Sequence, residues 1–142
     1  MMIRKFVESD RCALREIYFE SRKHAFGWMD ASLFTLEDFD YDTEGEVIWV
    51  ATHTNTPVGF VSIWEPENFI HNLFVHPEAI GQGVGTELLN ACLKRIGRPA
   101  TLKCVKSNSK ARRFYLSRGW IVVSEGEGPD GKYELMQFED ET

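Results

Sequence analysis

The 142-residue chain sets 22 Asp and Glu against 16 Lys and Arg, giving a net charge of −6, with 43% hydrophobic residues and three cysteines. That length suits one domain, residues 1–142, burying roughly 68–70% of its unfolded surface. An acidic total argues against binding nucleic acid, no segment approaches the ~20 apolar residues of a membrane span, and Cys12, Cys92 and Cys104 lack any CxxC spacing that would signal zinc or a disulfide framework.

The first eight residues carry no apolar signal core, so a soluble cytoplasmic protein with three buried thiols is expected. The charge is unevenly distributed. Between His24 and Leu93 there are eleven acids and no Lys or Arg, whereas Lys94 to Arg118 holds nine basic residues and no acid.

Ile3 to Val7 reads as a strand, followed by a helix capped at Ser9 or Asp10 that runs to about His24, with Ala13, Leu14, Ile17 and Tyr18 at helical spacing. Gly27 to Glu46 mixes aromatic residues with a cluster of six acids from Glu37 to Glu46 and reads as a short helix and a solvated loop. Val47–Ala51 and Val58–Trp64 form a hairpin about the turn chemistry of His53 to Pro57. Phe69 to Val75 is a third strand of that group. A glycine-rich turn at Gly81 to Gly85 opens a helix with Val84, Leu88, Leu89, Cys92, Leu93 and Ile96 on one stripe, stopped by Gly97-Arg98-Pro99. Thr101–Val105 is a strand, and a helix capped by Ser107 or Asn108 ends at Gly119. Trp120–Ser124 and Tyr133–Phe138 are the last strands, joined by a loop over Glu125 to Gly131. Helices inserted among strands, with both hairpin and crossover connections, predict an α/β or α+β protein with a mixed sheet covered by helices.

Gly81-Gln82-Gly83-Val84-Gly85-Thr86 stands between a strand and a helix, where unpaired N–H groups and the helix dipole favour an anion. A plain strand-to-helix turn is the alternative. A P-loop needs GxxxxGK[ST], and no Lys or Arg is present there. A Rossmann fingerprint needs glycine where Thr86 stands and an acid about 20 residues on, where the chain reads Lys103-Cys104-Val105-Lys106. A pyrophosphate cradle for coenzyme A remains.

Three runs carry a resemblance: Ile70-His71-Asn72-Leu73-Phe74-Val75-His76-Pro77, then Gly81-Gln82-Gly83-Val84-Gly85, then Asn108-Ser109-Lys110-Ala111-Arg112-Arg113-Phe114-Tyr115-Leu116-Ser117-Arg118-Gly119-Trp120. Together they resemble motifs A and B of the GNAT superfamily of acyl-CoA-dependent N-acetyltransferases, over a core from about Val47 to Trp120. The resemblance implies a GNAT-like mixed sheet of about seven strands flanked by about four helices, and acetyl-CoA as co-substrate with no metal.

It further implies that Leu73, Phe74 and Val75 hold the pantetheine arm through their backbone, and that Gln82, Gly83, Val84, Gly85 and Thr86 hold the pyrophosphate. Asn108 would contact the cofactor or orient a neighbour. Ile80 stands where the family usually has Gln or Arg, leaving backbone groups and nearby basic residues to bind the phosphates. Tyr115 would be the general acid to the departing thiolate. Its ordinary pKa of about 10 keeps it protonated at neutral pH. His71 stands where the family often has a glutamate base, and alternation along the strand leaves it either facing the cleft or structural.

Trp28 and Trp64 belong to the acidic, aromatic acceptor side, which suits a cationic amine on a small molecule or a peptide. No nucleic acid or membrane partner is expected, and a homodimer is left open. The rival functions are a non-catalytic acyl-CoA sensor and a nucleotide-binding protein.

Overall fold

The computed structural model describes residues 1–27 and 29–139. Its strands are β1 (Met2–Lys5), β2 (Val47–His53), β3 (Thr56–Trp64), β4 (Phe69–Val75), β5 (Ala100–Val105), β6 (Ile121–Gly128) and β7 (Gly131–Phe138). The helices are α1 (Arg11–Ala25), α2 (Asp38–Asp42), α3 (Val84–Leu93) and α4 (Ser109–Ser117). The strands form one mixed sheet in the order β1-β2-β3-β4-β5-β7-β6. All neighbours are antiparallel except β4 and β5. This is the α+β architecture expected from the element order.

Each face of the sheet is covered by a helix whose apolar stripe matches its sequence period. On one face α1 buries Leu14, Ile17 and Tyr18 against Ile48, Val50 and Phe60, with Phe39 of α2 closing the cluster. On the other, Val84, Leu88, Leu89 and Cys92 of α3 pack on Ala51, Val61, Ile63, Ile70 and Leu102. Burial of a Leu or Ile side chain is worth about 1.5–3 kcal/mol, so these stripes hold the helices to the sheet. The β2–β3 connection is a two-residue turn with Thr54 and Asn55 both at positive φ, which matches the twist of a hairpin. No helix among the described residues is long and apolar enough to cross a membrane.

Three expectations are corrected. Glu125 to Gly131 is not a loop, because β6 and β7 stay paired out to Gly128↔Gly131. Gly126 sits under the Tyr133 ring, where a Cβ would collide with it, so glycine here serves the ladder. Cys12 is exposed, since the buried stripe of α1 runs through Leu14, Ile17, Tyr18 and Ser21; only Cys92 and Cys104 are buried. Of the six acids from Glu37 to Glu46, Glu37 and Glu44 are exposed as a solvated loop would have them, and the other four are held. Asp38 pairs with Arg22, Asp40 with Arg11 and Arg15, Asp42 accepts from the Tyr18 hydroxyl, and Glu46 contacts His71.

Candidate active site

β4 and β5 are hydrogen-bonded neighbours over only two register pairs, Phe69↔Thr101 and Ile70↔Leu102, and then diverge. The divergence begins at a bulge. On the β3 side, Ile70 pairs with Ile63 and Asn72 with Ser62, so His71 has no partner. The extra residue shifts the alternation. Ile70 joins Leu73 and Val75 on the α3 face, while Phe74 packs on the α1 face. Asn72 anchors the bulge, its Nδ2 donating to Ser62 Oγ at 2.9 Å and to the Asp42 carbonyl at 3.3 Å.

A cavity of about 610 Å³ fills the gap, large enough for a drug-sized ligand. Leu73 and Phe74 line it from β4, Leu102 and Cys104 from β5, and Asn108 and Tyr115 from α4. Past Asn72 the β4 backbone edge facing β5 has no strand partner, so it can accept an extended ligand as an added strand. At its far end the Val75 carbonyl accepts from Ser21 Oγ at 2.9 Å, fixing β4 to α1.

α4 is started by Asn108, whose Oδ1 accepts from the Ala111 N–H at 3.2 Å, and is followed by Gly119 at φ +91. Helical spacing then brings Tyr115 to the cavity, edge-on to Phe114 at 5.2 Å and to Trp120 at 5.8 Å between ring centroids. Burial raises the Tyr115 pKa well above its ordinary value, with smaller contributions from Cys104 and Cys92, so the phenol stays a proton donor.

The glycine turn lies where β4 ends. Gly81 (φ +88) and Gly83 (φ +80) adopt left-handed conformations that side chains disfavour, and Gly83 is the N-cap of α3. The N–H groups of Val84, Gly85 and Thr86 have no acceptor within the helix and point out of its positive end. A Cβ at Gly85 would lie 3.8 Å from both Val75 and Phe114, so turn, strand end and α4 meet there. Arg118, seated 3.9 Å over the Phe114 ring, donates from Nη2 to Thr86 Oγ1 at 2.6 Å and brings a cation beside these N–H groups. The turn and the open β4 edge together form a cradle suited to the pyrophosphate and extended arm of an acyl-CoA. Gln82 is exposed in this turn, and Ile80 is 54% exposed just before it.

On the opposite wall, His71 opens on the cavity and its Nδ1 lies 2.7 Å from Glu46 Oε2. The hydrogen bond to Glu46 raises the His71 pKa; burial opposes it, and the charges of Glu46 and Asp42 add to it. Tyr18 donates to Asp42 Oδ2 at 2.6 Å, and burial followed by that bond raises its pKa far above the ordinary phenol value. Phe26, Phe34 and Phe69 share this wall with Asp42 and Asp130. Arg22 is buried between the Tyr18 and Phe34 rings and is neutralised by Asp38 at 3.0 Å. Among the described residues no group of three His, Cys, Asp or Glu is arranged to hold a metal.

Of the predicted site residues, the cavity brings together His71, Leu73, Phe74, Asn108 and Tyr115, while Val75 and the Gln82–Thr86 turn lie outside its lining and meet each other at Gly85. Trp64 does not line it; the residue is 40% exposed, and its ring lies near Gly45. Trp28 falls outside the described residues. Sequence reasoning missed Glu46, Asp42 and Arg118, whose partners lie 25, 24 and 32 residues away in the chain.

A model of the acetyltransferase (GNAT) family matches residues 11–120. An uncharacterized N-acetyltransferase of Archaeoglobus fulgidus is 34% identical over 127 residues, covering 82% of each chain. The peptidyl-lysine N-acetyltransferase YiaC of Escherichia coli is 28% identical over 128 residues, covering 86% of this chain and 84% of its own. The crystal structure of the PaiA N-acetyltransferase of Thermoplasma acidophilum in complex with coenzyme A superposes with a TM-score of 0.75, covering 96% of this chain and 98% of its own, a likeness of fold at 18% identity.

Proposed function

Because the chain belongs to the acetyltransferase (GNAT) family, we propose that it is a single-domain enzyme moving an acetyl group from acetyl-CoA to a primary amine by direct attack within a ternary complex. The observation that carries this reading is the splaying of β4 from β5 after Ile70 and Leu102, with Tyr115 and His71 lining the cavity that opens between them. Leu73 to Val75 would hold the pantetheine arm by their backbone. Gln82 to Thr86 would hold the pyrophosphate, with Arg118 supplying the positive charge that Ile80 lacks. Asn108, as the cap of α4, keeps Tyr115 in place.

A thioester is already activated toward amines, so the enzyme's work is alignment and proton management. Tyr115 donates its phenolic proton to the leaving sulfur. His71 takes a proton from the attacking nitrogen. The aromatic rings with Asp42 and Asp130 favour an acceptor bearing a cation on an apolar stem. A lysine side chain fits that description, in keeping with the activity named for the relative YiaC.

The test is acetyl-CoA-dependent thiol release across lysine peptides, polyamines and amino-sugars, with the acetylated product confirmed by mass. Turnover with a lysine peptide supports the reading. Tight acetyl-CoA binding without turnover on any amine would replace it with an acyl-CoA sensor, and thermal stabilisation by ATP or NAD but not by CoA would replace it with a nucleotide-binding protein.

A further inference from the structure

The acid that faces His71 is buried with only one of its two oxygens hydrogen-bonded among the described residues. Glu46 precedes β2, and its side chain is 8% exposed. One carboxylate oxygen, Oε2, meets His71 Nδ1 at 2.7 Å, and the other, Oε1, is buried with no hydrogen-bond partner. A buried carboxylate with half its acceptors unused is a poor stabilising device, because desolvation is not fully offset. Its partner sits on the bulge of β4, and the histidine ring is 42% exposed toward the cavity.

We infer that Glu46 is the positioning residue for His71, accepting the proton on Nδ1 so that the lone pair of Nε2 is presented to the amine in the cleft. This rests on the reading of the chain as an N-acetyltransferase and extends it to a residue outside the sequence motifs. An imidazole is a base at one nitrogen only when the other carries the proton, and a carboxylate at Nδ1 selects that tautomer.

Other groups also face His71. Asp42 at the end of α2 adds negative charge, and its main-chain carbonyl hydrogen-bonds the imidazole as well. Phe69 of β4 lies tilted against the imidazole at 6.0 Å. From α1 the cavity presents Tyr18, whose proton is held by Asp42, and Arg22, paired with Asp38. Lys103 of β5 has its ammonium over the Tyr133 ring at 4.9 Å, and Asp130 is presented by the β6–β7 turn.

In the transfer step the amine nitrogen bonds to the acetyl carbon and the carbon–sulfur bond breaks. The amine proton passes to His71 Nε2 and the Tyr115 proton to the thiolate. The products are the acetamide and CoA thiol, and His71 returns its proton through solvent to Tyr115.

His71 has its pKa raised above about 6.5, so it is charged and inactive as a base below the raised value, and activity rises as pH rises through it. Removing the Glu46 charge lowers that value. The Glu46→Gln variant is therefore expected to lose about 10–100-fold in kcat, to keep the acetyl-CoA KM, and to shift the acid limb of its kcat profile to lower pH. His71→Ala is expected to lose at least as much. Adding Glu46→Gln to His71→Ala is expected to cost nothing further, because the carboxylate acts only through the ring.

Nitrogen-15 correlation spectra of the wild-type imidazoles read the tautomer without any variant. The expected result above the His71 pKa is the proton on Nδ1. A neutral His71 protonated on Nε2, an unchanged kcat profile in Glu46→Gln, or an equal loss from Glu46→Gln in the His71→Ala background overturns the proposal. If acetyl transfer proceeds and Tyr115→Phe abolishes it while Glu46→Gln is silent, the assignment of Glu46 fails and the acetyltransferase reading stands.

Discussion

Replacing Tyr115 with phenylalanine separates the chemistry of the cleft from its packing. The ring contacts with Phe114 and Trp120, at 5.2 and 5.8 Å between centroids, survive the change. Burial, with smaller contributions from Cys104 and Cys92, sets the properties of the hydroxyl. Its removal therefore costs less than about 1 kcal/mol of stability, a shift of a few degrees in Tm. As a general acid the same hydroxyl is worth about 10²–10⁴ in rate, or about 2.7–5.4 kcal/mol at 1.36 kcal/mol per tenfold.

The phenol is held protonated, so the loss is the same across about pH 6–9. Thiol release read with a chromogenic disulfide, alongside thermal melts of both proteins, measures the two effects together. Wild-type kcat in Tyr115→Phe with every accepted amine refutes the acid role. A loss of activity matched by a loss of Tm assigns the residue to packing instead.

Three other outcomes follow from the same geometry. Gly83→Ala forces a Cβ residue to φ +80 in otherwise open space, which costs about 1–2 kcal/mol; it is expected to lower Tm and raise the acetyl-CoA KM while the amine KM stays put. Arg118→Ala removes an exposed cation from Thr86. Steady-state kinetics should show a higher acetyl-CoA KM with Tm unchanged, since exposed polar contacts contribute about 0–1 kcal/mol. Burial pushes the Cys92 thiol up to about 12 and the Cys104 thiol up to about 11. Native alkylation followed by peptide mass mapping should therefore modify Cys12 alone, with all three labelled after unfolding.

Much of the scaffold was legible because it is written in local patterns. Phe69–Val75 is an uninterrupted strand run with β4's bounds, the α3 stripe reads directly from Val84, Leu88, Leu89 and Cys92, and Asn108 and Gly119 bracket α4 as a cap and a left-handed stop should. The glycine turn was legible for the same reason, since alternating glycines before a helix have few physical uses.

The rest depends on partners remote in the chain. A bulge at His71 arises from how β4 registers against β3, which no alternation rule within Phe69–Val75 reveals. Glu46 looks like one more acid in a run of six until folding buries it beside that bulge. The hairpin through Gly126 and Gly128 reads as a loop because glycine and proline usually mark one, whereas here Gly126 makes room for Tyr133 across the strand. Trp64, aromatic and next to acids, sits at the outer end of β3, away from the cleft.

The claim on which the mechanism depends is that the diverging strands and the glycine turn hold acetyl-CoA. Amide hydrogen exchange with and without saturating acetyl-CoA tests it position by position. Slowed exchange at Leu73 to Val75, at Val84 to Leu88 and in the first turn of α4, with β1 and β6 unaffected, is the predicted result. Protection on another face of the sheet, or none at a concentration that saturates turnover, contradicts the account.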